Sequence, residues 1–282
     1  MLSTEHIEKA VTWACIQEVS APKPGNVNYF SDAHSMSVQN FLDSAHAIAP
    51  ILAQNDQTVG EMILGSVKAT RTVVDCNTNL GIILLFAPLC KAMAECQSFD
   101  ALPRVLSQIL NSLTIRDAEL AYQAIQIAQP GGLGKSIEQD IYTLPTVTLK
   151  QAMILAKNHD SLAAQYANNY HDIFELGLKN LTLSINCGEI VEWATAFAYV
   201  KFLSVTPDSL VCRKQGPKCA ATVMNRAKGI VEKMNGNSNL SQYETDITLW
   251  DQELKQNAIN PGTTADMAAA SLLVYAFSQS HS

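Results

Sequence analysis

The stretch IEKAVTWACIQE at residues 7–18 decides the fold class, because its apolar side chains recur with the period of an α-helix. The apolar positions are Ile7, Ala10, Val11, Ala14 and Cys15. They place one apolar face on a helix whose other face is polar. The alternation of apolar and polar residues that marks a half-buried strand is nearly absent from the rest of the chain. The sequence therefore predicts an all-α protein.

The helical period continues beyond this stretch, and Pro and Gly residues mostly fall between the periodic segments. The further predicted helices are 41–52, 61–74, 80–94, 101–113, 116–127, 149–156, 161–176, 182–203, 219–234, 245–257 and 265–277. Pro88 is expected to kink or end its helix, and the short runs 146–149 and 210–212 to be extended. Without a linker, charge block or repeat, residues 1–282 are predicted to form a single globular multi-helix domain of about a dozen helices.

The composition excludes some classes of function. The 282 residues are 48% hydrophobic and carry a net charge of −7, which disfavours a protein that binds the nucleic-acid backbone through a basic face. The longest apolar run, 80–90, is too short to span a membrane. Seven cysteines without a metal-ligand spacing indicate free thiols in a reducing compartment, so we expect a cytoplasmic protein that binds small molecules. A homo-oligomer is compatible with this composition.

Four polar loops interrupt the helices. The first, APKPGNV at residues 21–27, contains a Pro-Gly pair suited to the centre of a type II turn, which would present Lys23 and the Asn26 amide to an anion. A solvated lysine on a simple turn is the alternative. The same loop ends near His34, whose imidazole suits proton transfer but is also typical of a solvated loop end. The second loop, DCNTN at 75–79, offers either helix caps or an anion site.

The third loop, PGGLGK at 130–135, does not match a phosphate-binding or dinucleotide fingerprint, because no strand precedes it. It is either a lid or a solvated connector. Asp160 follows shortly after, and Gln165, Asn169 and Asp172 share one helical face. The fourth loop, NPGTTAD at 260–266, pairs Thr263 with Asp266 in a pattern typical of a capping box, although the aspartate could also bind magnesium.

Taken together, these loops resemble the triphosphoribosyl-dephospho-coenzyme A synthase family. The resemblance lies in Glu18 with residues 22–27, in the Asn77-Thr78 step with Gly81, around Asp160, and in residues 261–266. It covers most of the chain. It implies an all-α fold and a transferase that moves the triphosphoribosyl group of ATP from adenine to a ribose hydroxyl of dephospho-coenzyme A.

The resemblance also implies roles for individual residues. Glu18, Asp160 and Asp266 are the implied catalytic and metal-binding carboxylates. The implied substrate- and phosphate-binding residues are Lys23, Asn26, His34, Asn77, Thr78 and Asn79, and the basic pair Arg213 and Lys214 adds two phosphate candidates, with a solvated pair as the alternative. Such chemistry needs cations for the triphosphate, usually with Mg²⁺, and negative charge around the ribose carbon. The expected cofactor is therefore Mg²⁺, with ATP as substrate.

The chain departs from the family at two places. Better-known members carry a His-Lys pair where this chain has Asn79 and Leu80, and an acidic residue where it has Ser35. The alternative is a divergent member that uses another phosphorylated substrate, in biosynthesis of a one-carbon carrier cofactor of the methanopterin or methanofuran type. A hydrolase of a related glycosidic bond is a further alternative. A hypothesis of another class is a non-catalytic helical binding protein, which predicts that Glu18, Lys23 and the two aspartates lie on separate surfaces.

Overall fold

The computed structural model of the protein describes residues 2–29, 36–132, 134 and 138–280. Within these residues there are fourteen α-helices and no β-strand, which confirms the predicted fold class. The helices are α1 (Thr4–Ser20), α2 (Val38–Leu52), α3 (Val59–Val73), α4 (Leu80–Glu95), α5 (Leu102–Ser112), α6 (Ile115–Ala128), α7 (Leu149–Ala156), α8 (Ser161–Asn168), α9 (Lys179–Asn186), α10 (Val191–Val205), α11 (Ser209–Gln215), α12 (Pro217–Lys233), α13 (Glu244–Gln256) and α14 (Gly262–Gln279). A π-helical segment, Ile173–Leu178, precedes α9.

Helices α4 and α14 form the centre of the molecule and pack against each other. Helix α4 buries thirteen of its sixteen residues and α14 buries twelve of its eighteen. A helix that is apolar on nearly all sides can be covered only by neighbouring helices, and α1, α3 and α5 pack on α4 while α1, α8 and α10 pack on α14. The two central helices begin at the same cavity, which is described below.

The apolar core consists of two clusters of buried side chains. The larger cluster unites side chains of α1 to α8, and the smaller one unites α10, α12 and α13. Helices α10 and α14 contribute side chains to both clusters, so the two clusters adjoin along these helices. We infer that the chain folds as one domain, because no element separates one cluster from the other.

Several predicted boundaries were wrong. The predicted helix 161–176 is broken after α8, because Asn169 and Tyr170 adopt left-handed backbone conformations, with φ of 56° and 63°. The predicted helix 182–203 is two helices, α9 and α10, separated at Gly188 with φ of 90°. Residues 210–212, expected to be extended, belong to α11. Pro88 does not end α4, which continues to Glu95.

All seven cysteines have unpaired thiols. Among the described residues, none of the helices combines the length and the apolar character needed to cross a membrane.

Candidate functional site

A cavity of about 510 Å³ lies where α4, α8, α11 and α14 begin. One end of the cavity is polar, and its lining includes residues predicted from the four loops. These are Glu18, Asn26, Asn77, Thr78, Asn79, Asp160, Arg213, Lys214 and Asp266. The other end is apolar and lies between α6 and α7. Segments more than two hundred residues apart in sequence therefore meet at one site.

The Pro-Gly segment forms the predicted type II turn. Gly25 has φ of 81°, and the Asn26 amide donates to the Lys23 carbonyl at 3.1 Å, which closes the turn. The turn is fixed from outside, because the Tyr199 hydroxyl donates to the Pro24 carbonyl at 2.8 Å. A Cβ at residue 25 would also lie 2.7 Å from the carbonyl oxygen of residue 259. Both the positive φ and this close contact therefore require glycine at this position.

Lys23 does not line the cavity, which corrects its predicted role in phosphate binding. Its side chain is completely buried, and its amine donates to the backbone carbonyls of Glu18, Ala21 and Val27. The amine also pairs with Glu18 Oε1 at 3.2 Å. The turn that was expected to present the lysine outward instead directs it inward, where it holds the carboxylate of Glu18.

Glu18 is the buried member of the cavity carboxylates and is only 2% exposed. Burial raises its pKa, whereas the charge of Lys23 and the hydrogen bond from its amine oppose that shift. Burial likewise lowers the pKa of Lys23, and the charge of Glu18 opposes it. Lys23 therefore opposes the effect of burial on Glu18 and fixes its carboxylate at the cavity wall.

Asp160 makes two structural contacts, one with each of its carboxylate oxygens. Its Oδ1 accepts hydrogen bonds from the amides of Leu162 and Ala163 at 2.8 and 3.3 Å, so it caps the N-terminus of α8. Its Oδ2 pairs with Arg213 Nη1 at 2.6 Å. A guanidinium is thereby fixed at the rim of the cavity with its remaining donors available to a ligand.

Asp266 is the cavity carboxylate without a protein partner. In the part of the chain that the structure describes, neither of its oxygens has a hydrogen bond or an ion pair. Burial, followed by the charges of Glu18, Asp208 and Asp160, holds the pKa of Asp266 well above its usual value. The expected capping box was wrong, because the N-cap residue of α14 makes no side-chain hydrogen bond to the helix start and Asp266 faces the cavity instead.

Gly81 allows Asp266 to occupy this position. A Cβ at residue 81 would lie 2.0 Å from Asp266 Oδ2, so any side chain there would displace the carboxylate. Gly81 belongs to the first turn of α4, so the absence of a side chain there lets the start of α14 approach the start of α4 closely. The close approach of backbone to carboxylate explains a glycine inside an otherwise apolar helix.

We predict that Gly81→Ala displaces the Asp266 carboxylate and slows any reaction in which this carboxylate takes part by about 100-fold, because a misplacement of about 1 Å has an effect of that size. The matched control is Gly229→Ala in α12, where an added Cβ meets no atom within 4 Å. The control should keep full activity and gain about 0.5–1 kcal/mol, since alanine favours a helix over glycine. Equal turnover numbers for the two variants would contradict the proposed packing of Gly81 against Asp266.

The amide and hydroxyl side chains of the polar end are partly engaged in the protein. Asn26 Nδ2 donates to Asn260 Oδ1 at 2.8 Å, which links the turn to the segment before α14. The Thr78 hydroxyl shares a 2.6 Å hydrogen bond with Ser44, and Asn77 Oδ1 accepts from the Leu80 amide at 3.2 Å. These contacts give Asn77 a capping role, one of its two predicted roles, and fix the chain at the start of α4.

Two cationic side chains face the polar end among the described residues, Arg213 and Lys214. The glycine-rich segment packs on them, because a Cβ at Gly131 would lie 2.8 Å from Lys214 Cε. Gly131 and Pro130 line the cavity as well. Pro130 and Gly131 are therefore part of the site wall, and Gly131 lies in close contact with the Lys214 side chain.

The predicted three-carboxylate metal site is not formed. Within the described ranges, no group of three or more His, Cys, Asp or Glu side chains is placed to hold a metal ion. Asp160 is occupied by the cap of α8 and by Arg213, and Glu18 is occupied by Lys23. The three carboxylates share a cavity without sharing a coordination sphere.

The apolar end is a part of the site that the sequence analysis missed. Its lining includes Tyr122, Ile125, Ile141, Leu149 and Met153. The Tyr122 hydroxyl is already bonded to the Gln139 carbonyl at 3.0 Å. Apolar residues at helical spacing on α6 and α7 were interpreted as core, and no local signal distinguishes a core face from a cavity face. His34 and Ser35 lie outside the described residues.

Comparison with known proteins identifies the family and a similar fold. The sequence model of the family described as ATP:dephospho-CoA triphosphoribosyl transferase matches residues 4–282 of the chain. Among solved structures, a protein of Archaeoglobus fulgidus described provisionally as a triphosphoribosyl-dephospho-CoA synthase is similar, with a TM-score of 0.66 and 21% sequence identity. The match covers 85% of this chain and 98% of that chain. No curated protein matches the sequence.

Proposed function

Because the chain belongs to the ATP:dephospho-CoA triphosphoribosyl transferase family, we propose that it transfers the triphosphoribosyl group of ATP to a ribose hydroxyl of dephospho-CoA and releases adenine. The observation that carries the proposal is the cavity itself. It combines Asp266, a carboxylate without a partner among the described residues, and the buried Glu18 with a cationic rim formed by Arg213 and Lys214. Negative charge for a sugar cation and positive charge for phosphates therefore lie at one site.

The triphosphate is proposed to bind at the rim. Arg213 offers the donors that Asp160 leaves unused, and Lys214 adds a second positive charge.

The proposed reaction breaks the bond between the ribose carbon C1′ and adenine N9 and forms a bond between C1′ and the acceptor oxygen. The electron pair of the broken bond leaves with adenine, which takes up a proton from solvent. Positive charge develops on C1′, and the carboxylates of Glu18 and Asp266 stabilise it. Asp266 takes the proton of the acceptor hydroxyl, since a raised pKa makes a carboxylate a better base near neutral pH.

We propose that Mg²⁺ accompanies the triphosphate. The ion would be held mainly by the substrate phosphates, because Glu18 is paired with Lys23 and Asp160 with Arg213. Magnesium commonly binds through one or two carboxylates and substrate phosphates. The ion would neutralise phosphate charge.

The unpaired thiols of the chain support the predicted cytoplasmic location.

The non-catalytic alternative predicted that the acidic residues and Lys23 lie on separate surfaces. Glu18, Asp160 and Asp266 line one cavity, and Lys23 contacts Glu18. This arrangement favours an enzyme over a non-catalytic binding protein.

The test is incubation of the purified protein with ATP, dephospho-CoA and Mg²⁺, followed by chromatography for adenine and mass spectrometry of the acceptor. We expect adenine and triphosphoribosyl-dephospho-CoA in equal amounts, and no adenine when dephospho-CoA is omitted. Adenine release without an acceptor would identify a hydrolase and contradict transfer. No adenine under any of these conditions would contradict the use of ATP.

A second candidate is a divergent transferase that acts on another phosphorylated substrate, in biosynthesis of a methanopterin- or methanofuran-type cofactor. One observation favours it: of the two cationic side chains described at the cavity, Arg213 is already paired with Asp160. A donor with fewer phosphates needs fewer cations. Thermal-shift measurements with pterin or furan phosphates and with ATP, each with Mg²⁺, separate the candidates, because a ligand that binds the native state raises the melting temperature.

A further inference from the structure

Asp208 is a buried carboxylate that lies beside the site without lining the cavity, and it is 2% exposed. Its Oδ1 accepts a hydrogen bond from the Val211 amide at 2.9 Å, which caps α11. Its Oδ2 accepts from both the amide and the hydroxyl of Thr264, each at 2.8 Å. One side chain thus joins the start of α11 to the start of α14.

The next residue makes a parallel pair of contacts. The Ser209 hydroxyl donates to Thr263 Oγ1 at 3.1 Å, and it accepts a hydrogen bond from the Ser161 amide at 3.3 Å. Ser209 therefore joins α11 to the starts of α14 and α8. Four residues later on α11, Arg213 binds Asp160 at 2.6 Å.

These contacts converge on the residues that carry the charges of the cavity. Thr264 is two positions before Asp266, and Ser161 directly follows Asp160. Helix α11 is only seven residues long, so its position depends on the contacts at its ends rather than on a large packed face. A buried carboxylate is costly unless fully hydrogen-bonded, and this one has donors on both oxygens.

We propose that Asp208 and Ser209 are positioning residues for the transfer reaction: through Thr263, Thr264 and Ser161 they fix the starts of α14 and α8, and with them the carboxylates of Asp266 and Asp160. The inference rests on the proposed function. It assigns Asp208 and Ser209 no contact with the substrate. Loss of the contact between Asp208 and the Thr264 hydroxyl is expected to lower turnover while leaving the binding of ATP nearly unchanged, because the cap of α11 stays in place.

The test compares three variants. Thr264→Val keeps the size of the side chain and removes the hydrogen bond from its hydroxyl to Asp208, but not the one from its amide, whereas Thr264→Ser keeps the hydroxyl. The matched control is Thr195→Val, because Thr195 is also a fully buried helical threonine but donates to a carbonyl of its own helix, α10. Thr264 does not line the cavity, so a direct effect on substrate contacts is avoided.

We expect Thr264→Val to lower kcat by about 10-fold or more, with the KM for ATP within about twofold of the wild-type value. Displacing a reacting group lowers kcat in this way without weakening the binding of the substrate. Thr264→Ser and Thr195→Val should keep wild-type turnover. If Thr264→Val turns over as fast as Thr195→Val, or if Thr264→Ser loses as much as Thr264→Val, the inference is overturned. Should Thr264→Val not fold, Ser209→Ala takes its place with the same expected loss of kcat.

A crystal structure of the variant separates this inference from the proposed function. We expect the Asp266 carboxylate to move away from Gly81 in Thr264→Val and to stay in place in Thr195→Val. An unchanged carboxylate position in Thr264→Val overturns the inference, whatever the activity. A wild-type protein that releases no adenine contradicts the proposed function alone, because the displacement is measured without turnover.

Discussion

Replacing Asp266 by asparagine should nearly abolish transfer and at the same time stabilise the protein. The carboxylate has no partner among the described residues, and it is surrounded by the charges of Glu18, Asp208 and Asp160. Asparagine has nearly the same shape and no charge, so it removes this repulsion without disturbing the contact with Gly81. The loss of the proposed base and of one negative charge beside C1′ should lower kcat by about 10²–10⁴-fold.

The stabilisation should depend on pH. An aspartate in an unfolded chain titrates near 3.9, and burial together with neighbouring carboxylates raises the pKa of Asp266 in the folded protein. The folded state therefore binds this proton more tightly than the unfolded state. Ionisation begins to lower stability as the pH rises above the unfolded pKa, and the full cost is present above the folded pKa. The difference in stability between Asp266→Asn and the wild type should grow over that range.

Thermal unfolding of both proteins between pH 4 and pH 8 measures this difference. At neutral pH we expect the melting temperature of Asp266→Asn to be higher by about 2–4 °C, which corresponds to about 1 kcal/mol in a domain of this size. Asp246→Asn, on α13 and outside the cavity lining, is the control and should leave activity unchanged. A variant at position 266 that is less stable than the wild type, or fully active, would refute this account of Asp266.

Arg213→Met should be the second large effect, with kcat/KM for ATP lower by about 10²–10³-fold. The guanidinium is the fixed cation at the rim, since its Nη1 is held by Asp160 at 2.6 Å. Methionine fills similar space without charge, so the triphosphate loses its best-positioned donor and Asp160 loses its partner. Asp160 should still cap α8, because that bond uses its other oxygen. The fold should therefore survive the change.

Steady-state kinetics at varied ATP concentration measures the effect of Arg213→Met, and variants of two lysines serve as references. Lys214→Gln removes an exposed charge at the cavity and should raise the KM for ATP only a few-fold, because exposed charges are screened by water and salt. Lys218→Gln, in α12 and outside the lining, should have no effect. Similar losses for all three variants would indicate a general effect of net charge rather than a specific triphosphate contact.

The Pro-Gly segment shows how far the sequence could be interpreted correctly. The type II turn was predicted from the restricted φ of Pro24 and the freedom of Gly25, and both are properties of the residues themselves. The direction of Lys23 could not be predicted in this way. It depends on Tyr199, which binds the turn from α10, and on Glu18, which pairs with the lysine inside the protein. Local chemistry determines the turn, and tertiary contacts determine which way its side chains face.

At the start of α14, a local sequence rule led to a wrong prediction. The spacing of Thr263 and Asp266 is typical of a capping box, and the local rule favoured that role. In the structure the Thr263 hydroxyl binds Ser209 instead, and Asp208 accepts the Thr264 amide in place of a local cap. A residue from another helix satisfies the helix start, which releases Asp266 into the cavity. The sequence signal for Asp208 was present, since an aspartate after a proline commonly begins a helix.

The convergence of the loops was predicted by resemblance to the family rather than by physical rules. Periodicity along one helix cannot show that Glu18, at the end of α1, lies in the same cavity as Asp266, at the start of α14. That proximity comes from the packing of α1 and α4 against α14. The apolar end between α6 and α7 escaped prediction for the same reason, because an apolar face is equally suited to a core and to a ligand cavity.

The most direct test is a crystal structure of the protein with Mg²⁺, dephospho-CoA and an ATP analogue whose base is joined to the ribose by a carbon–carbon bond, which prevents transfer. We predict that C1′ of the analogue lies beside the carboxylates of Glu18 and Asp266, with the triphosphate at Arg213 and Lys214 and the acceptor hydroxyl within hydrogen-bonding distance of Asp266. An analogue bound outside this cavity, or with its phosphates against Asp266 and its ribose at the rim, would contradict the account.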